Sequence, residues 1–377
     1  MSVFTESCWD KWAKAVSRKR GVDAELASLI SSVSDWDAWL SHARSERLSG
    51  ALWTAFRDNN IQALLPSGVA QKMEFDWRQS VVASVPLLQN VGDIATLLDC
   101  NDIPWMLLKG PSVADVLYSD PGASPIVDID ILLKPFDFTR ALDQMQRSGW
   151  QLRNDMHPRY LELTRAVLTR EGSYVSILKA QWNLLGAIPL ANEDKLWDNP
   201  EEIEVGGRAV KTLSAADKAL YLAVHAVLYH GLRPSAQLLD ICLACGRLDR
   251  KGWSVLINHA KQTGLVEEVF LALTTARTRI NMVVPESVMS DLLKSRPKGL
   301  RRKAPELVMS DTGGRAATTL SRLIMMHGTD RKKKYLSFIM FPPKNWLAHT
   351  EDSIGPGAHF NNAFSGLGKA IRQLLAR

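Results

Sequence analysis

Cysteine is scarce in this chain: Cys8, Cys100, Cys242 and Cys245 are the only four among 377 residues. Four thiols are too few for a disulfide scaffold and fit a reducing compartment. A strong excess of one charge is missing too. Lys and Arg number 46 against 40 Asp and Glu, a net charge of only +6. That balance permits an anionic ligand without marking a dedicated DNA-binding protein. No uncharged apolar run reaches the ~18–20 residues needed to cross a bilayer. The opening stretch MSVFTESCWDKWAK lacks the basic-then-apolar order of a secretory signal. Internal repeats and low-complexity tracts are absent. The expectation is a soluble cytoplasmic protein.

What is present is enough for two or three packed units at roughly 100–200 residues each. Hydrophobic residues make up 46 % and charged residues 23 %, an ordinary globular balance that excludes wholesale disorder. Residues 1–95 read as a helical segment. Trp36, Leu40 and Ala43 recur at helical spacing behind Ser34 and Asp35, either of which can cap. Residues 96–212 have the texture of a small mixed sheet with helices. Residues 213–285 are helical again, with elements at 214–230, 235–246 and 252–280. Residues 286–377 alternate Lys/Arg clusters with apolar stretches. The fold class expected is α+β.

Within 96–212, Ile103–Leu108 predicts a buried strand that stops at Lys109-Gly110. Pro111 suits the first position of the helix that follows. A second strand spans 126–133, then a helix spans 137–148 and ends at Gly149. Further strands are expected at 161–169 and 173–182, with a hairpin around Gly206-Gly207.

The second strand carries Asp128-Ile129-Asp130. Strand side chains alternate, so both carboxylates share one face while Val127, Ile129 and Ile131 face the core. Neighbouring carboxylates repel, and a divalent cation between them turns repulsion into binding. Upstream, Lys109-Gly110 closes a strand and opens a helix. There Gly110 admits a close backbone approach, Ser112 adds a hydroxyl and Lys109 adds positive charge, a combination suited to phosphate.

The stretch LLKGPSVADVLYSDPGASPIVDIDILLKPFDFTRALDQMQRSGW (107–150) resembles the core of the uncharacterised nucleotidyltransferase family of the polymerase-beta-like superfamily. The likeness continues in LSAADKALYLAVHAVLYHGLRPSAQLLDICLA (213–244), a helical block with His225, His230 and Asp240, and in Trp253. It covers roughly 96–285. The resemblance implies a nucleotidyltransferase fold, with Mg²⁺ or Mn²⁺ held by Asp128 and Asp130. It implies a nucleoside triphosphate, ATP being the commonest, cradled near Lys109, Gly110 and Ser112. Its nucleotidyl group would pass to an acceptor with release of pyrophosphate. The acceptor is open: a small molecule, a sugar, a peptide, a protein or RNA.

Two positions depart from that pattern. Lys179, in Ile177–Trp182, stands where a third carboxylate is expected, with Gln181 where a histidine is expected. An ammonium there repels a metal, but it can bind phosphate or serve as a base. Glu162 or Glu171 can supply the acid if the match is displaced. Ser124 replaces an arginine. The alternative is therefore a degenerate member acting as a nucleotide- or protein-binding module. His225 and His230, five apart, point about 140° away from each other on a helix, poor geometry for one metal, and Asp240 can pair with one of them. Cys242 and Cys245 have zinc-like spacing without a second pair. The basic clusters at 298–303 and 331–334 offer a polyanion contact, but aromatics are too sparse for single-strand stacking.

Overall fold

The computed structural model describes residues 6–17, 23–153, 165–172, 176–181, 192–309, 314–326 and 329–340. Among the described residues, five α-helices precede the sheet: α1 (Glu6–Ser17), α2 (Asp23–Ser31), α3 (Trp36–Ser45), α4 (Ser49–Asp58) and α5 (Ser67–Asp99). Of the two capping candidates, Asp35 caps α3, its carboxylate accepting the Ala38 N–H at 3.0 Å. Trp9, Trp12, Trp39 and Phe56 are almost wholly buried and meet at ring-centroid distances of 5.1–6.5 Å. Tryptophan in this segment is core, and edge-to-face contacts add specificity to the area it buries.

Among the described residues the sheet has seven strands. They are β1 (Trp105–Lys109), β2 (Ile129–Leu133), β3 (Gln151–Leu152), β4 (Arg165–Arg170), β5 (Ser176–Gln181), β6 (Glu201–Val205) and β7 (Arg208–Thr212), in the order β3-β4-β5-β2-β1-β7-β6. β2 runs parallel to β5 and antiparallel to β1, which runs parallel to β7, so the sheet is mixed. One face, with Leu107, Ile129, Ile131, Leu178 and Ala180, packs on Leu87, Val91, Ile94 and Leu98 of α5 and on α7 (Phe138–Arg147). Burial of that apolar area is the main stabilising term. By length and composition α5 contains a window apolar enough to cross a membrane. In the fold its second half is the helix that covers the sheet.

The strand expected at 126–133 begins only at Ile129. Val127 is 56 % exposed and does not join the core as expected, whereas Ile129 and Ile131 are fully buried. β5 falls inside the range expected for it and β4 runs one residue past its own, to Arg170; the remainder of those ranges lies outside the described residues, as does the tail after Phe341. Between β1 and β2, Pro111–Val113 opens a helix (α6), and Ala114–Tyr118 widens into a π turn.

After the sheet come α8 (Ala215–His230), α9 (Ala236–Cys245), α10 (Arg250–Thr263), α11 (Val266–Ile280) and α12 (Glu286–Ser295), then α13 (Leu300–Met309), α14 (Gly314–Met325) and α15 (Thr329–Met340). Ser214 caps α8 through the Asp217 N–H. The stretch expected helical over 252–280 breaks at Gly264 into two helices. Helices from before and after the sheet share one apolar core, from Trp9 and Leu52 to Leu239 and Leu273. Part of the basic cluster at 298–303 is committed internally. Arg301 grips the fully buried Glu268 with two hydrogen bonds of 2.8 and 2.9 Å, and Arg296 holds Glu267 beside it.

Lys218, on α8, is almost wholly buried, and its Nζ has no hydrogen-bond partner among the described residues. Burial pulls its pKa down from 10.5 to about 8. The unfolded chain then binds more protons than the folded one between these values, so stability rises with pH across that window. Lys218→Met should be more stable than wild type by about 2–3 kcal/mol at pH 7. The advantage should shrink between pH 8 and 10.5 in urea unfolding curves; an equal advantage at both ends would contradict a buried ammonium.

Candidate functional site

Three neighbouring strands bring charged side chains to one level. Antiparallel pairing sets Trp105, Met106 and Leu107 opposite Leu133, Leu132 and Ile131, then the register slips so that Lys109 faces Asp130. Leu108 is the extra residue of a bulge. On the other side of β2, parallel pairing sets Asp130 beside Lys179. A buried carboxylate thus stands in register between two lysines, and Lys179 Nζ donates a short hydrogen bond to Asp128 Oδ2. Asp128 precedes the strand, yet it opens on the same cavity as Asp130.

Gly110 makes this packing possible. Its φ is +71°, and a Cβ there would lie 2.4 Å from the Asp128 carbonyl oxygen. Its first role is therefore to let the β1 turn press against the backbone that carries Asp128. Ser112 does not face the cavity. Its hydroxyl is fully buried and donates to the Leu108 carbonyl at 2.9 Å, four residues back at the end of β1, the local bond that Ser readily makes in place of a ligand contact. The hydroxyl expected to meet phosphate is thus bonded to the backbone, and Ser112 is not among the residues that line the cavity.

The cavity has a volume of about 290 Å³. Its floor is Lys109, Gly110, Asp128, Asp130 and Lys179; one wall is the loop Ala123–Pro125 with Val127; the other is built from α8 and α9. Asp120 fixes that loop. It accepts from Arg57 Nη2 (2.9 Å), Thr54 Oγ1 (3.1 Å), Trp77 Nε1 (2.9 Å) and the Gly122 N–H (2.8 Å). Burial works against its charge, but those donors hold its carboxyl below the usual range. Gly50 of α4 lies so close that a Cβ would fall 2.1 Å from the Gly122 carbonyl oxygen.

On the opposite wall the rings of His225 and His230 lie 4.9 Å apart, and Tyr229 stacks on His225 at 4.9 Å. The expectation that the two histidines diverge is corrected: both line the same cavity, because His230 closes the last turn of α8 and long rings bridge the angle between them. Asp240 takes the Tyr118 hydroxyl at 2.7 Å. This replaces the histidine partner expected for it. Burial raises the Asp240 carboxyl, while Lys109, the Tyr118 hydroxyl and Arg47 pull it partly back. Glu171 does not line the cavity, and Glu162 lies outside the described residues. Cys245 is buried in α9 and Cys242 partly so, both unbridged. Arg47, from the turn between α3 and α4, also lines the cavity; no motif around it marks it in the sequence.

Asp128 and Asp130 are the carboxylates of the cavity floor that could hold a divalent ion. Mg²⁺ takes one or two carboxylates and completes its shell with phosphate oxygens and water. Among the described residues no group of three or more metal-ligating side chains gathers, and a second ion would face the Lys179 ammonium.

His230 is held to a pKa of about 4, first by burial and then by Lys109, Arg47 and Lys179. Its depressed value contributes stability that is present above the usual 6.5 and lost as pH falls toward 4. Lys109→Gln should raise the pKa of His230, followed by NMR titration of its ring protons. An unchanged titration would place Lys109 electrically out of reach of α8.

The pattern describing uncharacterised nucleotidyltransferases matches residues 32–281. None of the curated proteins matches the chain. Among solved structures, the chain resembles the crystal structure of an antigenic nucleotidyltransferase-like protein from Paracoccidioides brasiliensis. The identity is 15 %, over 56 % of this chain and 94 % of that one, with a TM-score of 0.35. With two thirds of its length under that pattern, and with the paired aspartates and the Lys-Gly turn meeting in one cavity, this chain belongs to the uncharacterised nucleotidyltransferase family.

Proposed function

We propose that the cavity binds a nucleoside triphosphate, ATP first among them, with one Mg²⁺ on Asp128 and Asp130, and transfers its nucleotidyl group to an acceptor hydroxyl. The observation that supports this reading is the single cavity that holds both carboxylates together with Lys109 and Lys179. When bound, the ion would neutralise phosphate charge and polarise the α-phosphorus. The chain's own residues do the rest. Lys109 meets the charge that grows on the leaving pyrophosphate. Lys179, tied to Asp128, fixes the orientation of that carboxylate. The acceptor oxygen bonds to the α-phosphorus as the bond to the α,β-bridging oxygen breaks, pyrophosphate departs, and the hydroxyl proton passes to water. Positioning supplies much of the acceleration. The reaction belongs in the cytoplasm, where nucleotide and Mg²⁺ are both plentiful. Tyr118, His225 and Tyr229 on the opposite wall leave the acceptor a surface of rings and hydroxyls.

A second reading has its own observation. The Lys179–Asp128 ion pair already satisfies one of the two carboxylates, as it would in a member that binds a nucleotide or a protein without turning anything over.

Thermal stabilisation by each of the four ribonucleoside triphosphates separates the readings without knowledge of the acceptor. A ligand at a hundred times its Kd adds about 2.7 kcal/mol of apparent stability. The transferase reading expects a shift that needs Mg²⁺ and disappears in Asp130→Asn. A shift independent of Mg²⁺ and of Asp130 points to the binding module, and no shift with any nucleotide overturns both nucleotide readings.

A further inference from the structure

Arg47 sits in the turn between α3 and α4, far from the sheet in sequence, yet it lines the same cavity as Lys109, Asp128 and Asp130. Resting on the nucleotide reading of that cavity, we propose that Arg47 is a phosphate-binding residue. It would form one half of a clamp for a polyphosphate chain, with Lys109 as the other half.

Several independent observations converge on this residue. The side chains of Arg47 and Lys109 have no hydrogen bond or ion pair among the described residues, whereas Lys179 is tied to Asp128 and Arg44, three residues before Arg47, is tied to Asp76. These two cations are therefore the ones with charge to spend on a ligand. A triphosphate carries more negative charge than one Mg²⁺ removes, and a guanidinium can meet phosphate oxygens with two parallel N–H groups.

The backbone supplies the second line. Arg47 has φ +56°, in the left-handed region. Glycine or asparagine occupies that region at low cost, and an arginine there is strained. The turn is held on both sides of the strained residue. The Glu46 carboxylate accepts the Ser235 N–H at 2.6 Å, the Glu46 carbonyl accepts the Ala236 N–H at 3.3 Å, and Leu48 is fully buried. These contacts dock the turn on the start of α9, where Ala236, Gln237 and Asp240 face the cavity. The Leu48 N–H also reaches back to the Ala43 carbonyl at 2.9 Å, so α3 ends on this left-handed residue and the turn that carries Arg47 is held by α3 as well as by α9. Arg47 also acts electrically across the cavity, joining Lys109 and Lys179 in disfavouring a proton on His230.

The strain makes an unusual test possible, because the substitution that removes the guanidinium also relieves the backbone. Full-length wild type, Arg47→Gly, Arg47→Lys and the distant control Arg78→Gln are titrated calorimetrically with inorganic tripolyphosphate and, separately, with ATP plus Mg²⁺. Their melting temperatures are measured alongside. Arg47→Gly should melt at or above the wild-type temperature and bind both ligands at least tenfold more weakly. Arg47→Lys should recover part of the affinity, and Arg78→Gln should match wild type. Arg47→Gly binding both ligands within twofold of wild type overturns the proposal. An Arg47→Gly that melts well below wild type makes the turn structural, and Arg47→Lys with wild-type affinity then denies the guanidinium a special part. If wild type takes tripolyphosphate but not ATP, the nucleotide reading fails while the tripolyphosphate series still decides the role of Arg47. Wild type binding neither ligand sinks both.

Discussion

A carboxylate flanked by two lysines on three adjacent strands sets the terms for everything around it. Removing Asp130 from water costs several kcal/mol unless positive charge is fixed nearby. Lys109 from β1 and Lys179 from β5 stand in register with Asp130 and all three line one cavity, so the strands themselves gather charge of both signs at one level. Such a row holds only if the strands cannot slide, and the buried apolar residues on the opposite face see to that. The bulge at Leu108, the tight approach at Gly110 and the late start of β2 all serve to aim charge into one cavity.

The cavity walls come from separate stretches of chain. α4 and α5 pin the loop 119–125 through Asp120, and α8 and α9 supply the ring-lined wall. The helices before the sheet share their core with those after it, so Arg47 arrives at the site as part of the same packed body. A guanidinium is missing at Ser124, where the family likeness leads one to expect it, and one enters the same cavity from Arg47 instead.

Much of this site was legible because its residues lie close together in sequence. Lys109, Gly110, Asp128 and Asp130 fall within one strand–helix–strand unit, and alternation along a strand is enough to put two aspartates on one side. Lys179 was legible as an anomaly, a cation where an acid was expected. Other features were hidden for physical reasons. Ser112 reads as a phosphate donor until the turn out of β1 places the Leu108 carbonyl under its hydroxyl. Val127 reads as core until the strand starts two residues later. The histidines read as divergent on an ideal helix, but side-chain reach closes the gap. Arg47 could not be found from periodicity, since a left-handed arginine in a turn leaves no pattern. The cluster at 298–303 offers a polyanion contact in the sequence, yet Arg301 is spent on a buried glutamate.

The bulge in β1 has a consequence for how such a site can change over evolutionary time. Leu107 already pairs with Ile131, so Leu108 and Lys109 together oppose Asp130. Losing Leu108 would leave the lysine opposite Asp130 on an unbroken ladder, still on the face away from α5. What would go is the local kink and added twist that a bulge gives its strand. The extra residue therefore sets the angle at which the lysine enters the cavity, and the length of β1 can vary by one residue without turning that charge into the apolar layer.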